Sequence, residues 1–178
     1  TPPAAIASLA GPGRPIAVAM REQISKQFDA APAMREQGLA DLDRALEAAA
    51  KGEDFPADLP AWSRTLFNPT ARDLMRDYAT IDPAEVVRDV EGPVLVLSGE
   101  HDAQMSAERD ARPLAEAARS RGDGHPAELV IVPGASHNLK PVSGPAEPGF
   151  AGEVVGAAID SFIEWCTKVL GPAEPGTD

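Results

Sequence analysis

Pro93-Val94-Leu95-Val96-Leu97-Ser98-Gly99-Glu100-His101-Asp102 and Glu128-Leu129-Val130-Ile131-Val132-Pro133-Gly134-Ala135-Ser136-His137 are two versions of one design. Each is a continuous apolar run that passes through a glycine and delivers an ionisable side chain, Asp102 in the first and His137 in the second. An apolar run without polar alternation is the pattern of a parallel strand covered on both faces. Residues just past the C-terminal ends of such strands are where open α/β sheets place their chemistry. The pair therefore predicts an α/β fold with an acid and a base on neighbouring strand ends.

The surroundings extend this reading. Residues 107–121 between the two runs are helical in pattern, with Pro113 marking a kink or a late start and Gly122 a stop. Strand, helix and strand make one βαβ unit. After a loop rich in Pro and Gly, the spacing of Val154, Ala158, Ile159, Phe162 and Trp165 predicts an amphipathic helix over 153–170, and the tail 171–178 reads as disordered. On the N-terminal side, residues 1–14 read as a Pro/Gly-rich connection. Helices are predicted over 16–28, 33–51 (ended by Gly52), 61–67, 70–81 and 84–90. Two strands cannot make a stable parallel sheet alone. Either further strands lie hidden near the N-terminus or a separate polypeptide supplies them, and the second is the expectation.

Composition narrows the function classes. Across 178 residues the formal net charge is −12, which argues against nucleic acid, because phosphate contacts need clustered Lys and Arg. No apolar run approaches the roughly 20 residues of a membrane span, and no signal-peptide pattern is visible. The single Cys166 cannot form an internal disulfide, which favours a reducing compartment, and a cytoplasmic location is the expectation. Five of the eight aromatics (Phe28, Phe55, Trp62, Phe67 and Tyr78) fall within 16–90, where they either form a helical core or line a pocket.

A carboxylate beside a histidine fixes the imidazole tautomer and stabilises its positive charge when the ring takes a proton from a nucleophile. Asp102 and His137 are 35 residues apart, enough for one helix and one strand. Asp102 also suits a simpler role, capping the helix that follows. His101 would point away from Asp102 if the backbone were extended, and His125 lies in a Gly-rich turn. The three histidines with Asp102 match no compact metal-ligand spacing. Cys166, on the last helix, reads as a small core residue.

The segment from Leu95 to Met105 and the loop Gly134-Ala135-Ser136-His137-Asn138-Leu139-Lys140 resemble the acid-bearing and histidine segments of the α/β-hydrolase superfamily, in which the chain order is Ser, then Asp or Glu, then His. More loosely, Leu9-Ala10-Gly11-Pro12-Gly13-Arg14-Pro15 resembles the stretch after the sixth core strand of bacterial esterases of this type. The resemblance implies a connection over 1–15, a helical cap over 16–90, the C-terminal part of the core over 91–170 and a tail over 171–178. It further implies Asp102 and His137 as triad acid and base, ester hydrolysis through an acyl-enzyme, a small acyl substrate and no cofactor. The superfamily's Gly-x-Ser-x-Gly elbow and oxyanion hole have no counterpart in this sequence. Ser98 lies inside a strand, and the run around Ser136 lacks the second Gly. The nucleophile would come from an N-terminal half outside these residues. The rival expectation is a non-catalytic relative that only binds.

Overall fold

The computed structural model describes residues 3–122 and 124–171, so the tail reading for 172–178 lies outside the described residues. The chain forms two compact units, one spanning Arg14–Asp82 and the other built from the chain up to Gly13 together with the chain from Pro83.

The second unit holds a mixed α/β arrangement: three parallel strands, β1 (Ile6–Leu9), β2 (Val94–Gly99) and β3 (Ala127–Val132), in the order β1-β2-β3. The register pairs Ile6 with Val94 and Val94 with Ala127. β2 is central and buried along its whole length. Its odd and even side chains meet different layers, which explains the absence of polar alternation. Val94 and Val96 pack on α5 (Arg112–Arg119) and on Val87, against a run of small residues, Ala111, Ala115 and Ala118, that lets the helix approach the sheet closely. Leu95 and Leu97 face α6 (Gly156–Leu170), meeting Ala158 and Trp165. Full burial of each such side chain contributes about 1.5–3 kcal/mol.

β1 corrects the sequence reading, which took 1–14 as connection only and expected the missing strands from elsewhere. The segment Ile6-Ala7-Ser8-Leu9 is short and half small residues, and it has too little apolar bulk to stand out as a buried strand. It is held by its pairing with β2. The helical segments also differ in detail. Pro83–Val86 (α4) and a 3-10 turn, Val87–Asp89, belong to the sheet unit, where Val87 joins the β2 core. The helix expected from 107 begins as one wide π-type turn, Ala107–Ala111, and becomes regular only at Arg112, with Pro113 in its first turn. A proline N–H is missing and its ring crowds the carbonyl four residues back, so the regular helix starts where that costs least. The last helix starts at Gly156, after the expected residue 153.

The helical unit comprises α1 (Ile16–Gln27), α2 (Pro32–Lys51), a 3-10 turn at Pro69–Ala71 and α3 (Arg72–Thr80). Its own core gathers Leu42, Ala45, Ala49, Leu59, Phe67 and Met75. α2 ends at Gly52, which takes φ 71° while Glu53 N–H reaches Ala48 O and Gly52 N–H reaches Ala49 O, the Schellman arrangement. No helix forms over 61–67. Ser63 is buried with Oγ donating to Pro60 O, and Arg64 Nε donates to Leu59 O, so side chains hold the chain in successive turns. Among the described residues no helix is long and apolar enough to cross a membrane.

Candidate active site

β2 delivers Asp102 by a tight turn. Asp102 N–H donates to Gly99 O at 3.2 Å, Glu100 N–H to Val132 O at 3.0 Å and His101 N–H to Ala135 O at 2.9 Å. The acid loop is thereby stitched to the end of β3. Only glycine fits at position 99, because a Cβ there would lie 2.3 Å from Ala135 O and 2.4 Å from Ser136 O. The Asp102 side chain is fully buried, and its two oxygens serve different partners. Oδ1 accepts from the N–H groups of Gln104 and Met105, both at 2.8 Å. Oδ2 lies 2.9 Å from Nδ1 of His137.

The histidine loop is clasped from several sides. Gly134 takes φ 64° beyond β3, and its N–H donates to Glu100 Oε2 at 2.9 Å. Ser136 and Lys140 close a small ring (Ser136 N–H to Lys140 O, 2.9 Å), which places Leu139 at φ 55°, an uncommon conformation for a residue with a side chain. Gly149 then lies directly over Ser136, where a Cβ would come 2.1 Å from Oγ. Asn138 Nδ2 and Lys140 Nζ donate to the carbonyls of Gly149 and Phe150. The loop is thus held on both sides of His137.

This geometry sets the ring's protonation. The hydrogen bond that His137 donates to Asp102 raises its pKa above 6.5; burial opposes it, and the attraction of the Asp102 charge adds to the rise. Because a carboxylate only accepts, Nδ1 carries the proton and Nε2 is the basic nitrogen. Nε2 has no hydrogen-bond partner among the described residues. His137 lines a cleft of about 220 Å³ with Gln104, Ser136, Pro148, Phe150 and His101.

His101 on this cleft is a residue that sequence reasoning set aside. The alternation argument assumed an extended chain, but the turn at Gly99 to Asp102 removes the alternation. The signal was the glycine two positions before it. Of the other candidates only Ser136 shares the cleft, and its hydroxyl is engaged elsewhere. Ser98 is buried inside β2, and its Oγ has no hydrogen-bond partner. Ser136 Oγ is buried and accepts from Lys140 N–H at 3.3 Å. His125 is exposed in its turn. Cys166 packs with the Leu95 and Leu97 layer. Among the described residues no three His, Cys, Asp or Glu side chains converge as metal ligands. No family model, curated protein or solved structure matches the chain.

Proposed function

We propose that this chain supplies the acid and the base of a serine hydrolase of the α/β-hydrolase type, acting on a carboxylic ester, amide or thioester. The observation that carries the reading is the 2.9 Å contact between buried Asp102 and Nδ1 of His137, made at the ends of adjacent parallel strands beside a cleft that His137 lines. In this reading Nε2 removes the proton from a serine hydroxyl as its oxygen attacks the substrate carbonyl, and Asp102 stabilises the imidazolium. The same ring then returns the proton to the leaving alcohol or amine, and water releases the acyl group by the reverse route. The serine and the oxyanion donors come from an N-terminal part of the same hydrolase, and the helical unit serves as its cap. β1 supports this, since it is an apolar strand whose far side pairs with no other strand among the described residues. Such an edge suits a strand inside a larger sheet. A cytoplasmic location accompanies the proposal.

One observation favours a rival: no hydroxyl among the described residues reaches Nε2, as in a relative that binds without turnover. The two are separated by assaying p-nitrophenyl acetate and butyrate hydrolysis, with fluorophosphonate labelling, on the polypeptide that contains this chain together with the segment encoded before Thr1. The proposal expects ester turnover and a label on a serine outside residues 1–178. Absence of both, or turnover unchanged in His137→Ala, overturns it.

A further inference from the structure

The helical unit contains a cavity of about 480 Å³ that is independent of the His137 cleft and of its proposed role. Its walls include Phe28, Met34, Gln37, Gly38, Asp41 and Trp62. A glycine inside α2, Gly38, forms part of its wall. A central glycine costs a helix about 1 kcal/mol relative to alanine, so its presence asks for a steric reason. That reason is Phe28: a Cβ at position 38 would stand 3.1 Å from its ring. Gly38 lets the ring lie against the helix backbone, and Trp62 meets it edge to face, with centroids 6.2 Å apart.

One turn further along α2, Asp41 enters the same cavity. Its side chain is only 7% exposed. Oδ1 accepts from Arg44 Nη2 at 2.7 Å, whereas Oδ2 accepts no hydrogen bond among the described residues. Arg44 is shared, since its Nη1 also bonds both oxygens of Asp58 at 3.1 and 3.2 Å. One guanidinium thus serves two carboxylates, buried Asp41 and solvent-exposed Asp58, and the three groups together carry a net negative charge. Oδ2 keeps some contact with solvent and so stays open to a cation, and aromatic faces attract cations.

We propose that this cavity binds a small amphipathic cation, an aryl- or alkyl-ammonium whose charged head meets Asp41 and whose apolar body lies on Trp62 and Phe28. A mostly apolar hollow with a few convergent polar groups is the usual form of a small-ligand site. The net charge of −12 draws cations toward the chain generally, and the aromatic pair selects among them.

The test uses the full chain labelled with nitrogen-15, whose two tryptophans give two indole N–H signals. Phenethylammonium should shift the Trp62 signal saturably while the buried Trp165 signal stays in place. The neutral 2-phenylethanol, of the same shape, should bind at least about tenfold more weakly, and phenylacetate more weakly still. Asp41→Asn should abolish the preference for the ammonium. Because that change also disturbs Arg44, Gln37→Lys provides a surface alternative: it sets a positive charge at the cavity and should weaken the ammonium by a similar factor. Trp62→Leu should weaken all three probes. Equal affinity for the alcohol and the ammonium, indifference to Gln37→Lys, or a response at Trp165 in place of Trp62 would overturn the proposal.

Discussion

Asp102 does not cap the helix that follows, whose N-cap position is Ser106; each of its carboxylate oxygens has its own partner. Oδ1 holds the turn through Gln104 and Met105, and Oδ2 holds His137. Asp102→Asn should therefore keep the turn, with the amide oxygen in the place of Oδ1, while the amide N–H₂ faces Nδ1. The ring must then accept at Nδ1 and carry its proton on Nε2, the wrong tautomer for a base. In the hydrolase reading this costs on the order of 10⁴ in turnover, the scale known for the orienting aspartate of a serine protease. Independently of any turnover, an NMR titration should show the His137 pKa falling back in the Asn variant. The sign of the pH dependence follows from the raised value. Stability from the protonated pair is fully present below the unfolded-state value near 6.5 and is lost as pH rises through the higher folded value. Ester turnover has the opposite slope, rising through that folded value, because only neutral imidazole acts as base. A denaturation series in which wild type and His137→Gln show the same pH slope would contradict this. The two residues were legible because a strand, a glycine and an ionisable group recur at matching positions. His101 was not, because its direction depends on a turn that the residue pattern does not specify.

At the scale of elements, the strands with uniform apolar character, β2 and β3, were legible and β1 was not. Its backbone pairing gives a way to probe it. Ile6 and Ala10 donate to Pro93 and Leu97 of the β2 strand segment, so residues 6, 8 and 10 face β2 and residues 7 and 9 face the outer edge. Ser8→Pro should break the ladder and speed hydrogen exchange in β2. Ala7→Pro removes only an outward N–H, so it should leave exchange in β2 unchanged and reduce association through that edge, as read by light scattering. Equal effects of the two prolines would refute the register. Gly99→Ala provides a second probe. Its Cβ would meet backbone oxygens that cannot swing aside, and the variant should lose roughly 1–3 kcal/mol or more in chemical denaturation while releasing the His137 loop. Gly122→Ala, with nothing within 4 Å, should cost only the strain of its positive φ. Helix ends were the least legible feature. The start at 107–111 is decided by proline sterics, and the absence of a helix over 61–67 by buried side-chain bonds, neither of which periodicity registers.

For the whole molecule, the division into two units is carried by their separate cores. Leu42, Ala45, Leu59, Phe67 and Met75 of the helical core all come from Arg14–Asp82. That segment expressed alone should show helical circular dichroism and a cooperative melt, and a featureless melt would deny it an independent core. Its helices were legible from apolar spacing. Its boundary at Pro83 was not, because Val87 is distinguished from the preceding helices only by what it packs against. The insertion of this unit between β1 and β2 also has a temporal side. Ile6 pairs with Val94, so during synthesis β1 emerges well before the strand it needs, and the entire helical unit is made in the interval. An unfolded insert would make that pairing a long, entropically unfavourable closure, whereas a folded one shortens the effective path. Helix formation in the insert is thereby a clock for sheet assembly. A variant that slows the insert, such as Leu42→Ala, should delay the refolding signal of Trp165 even though it alters no residue of the sheet unit.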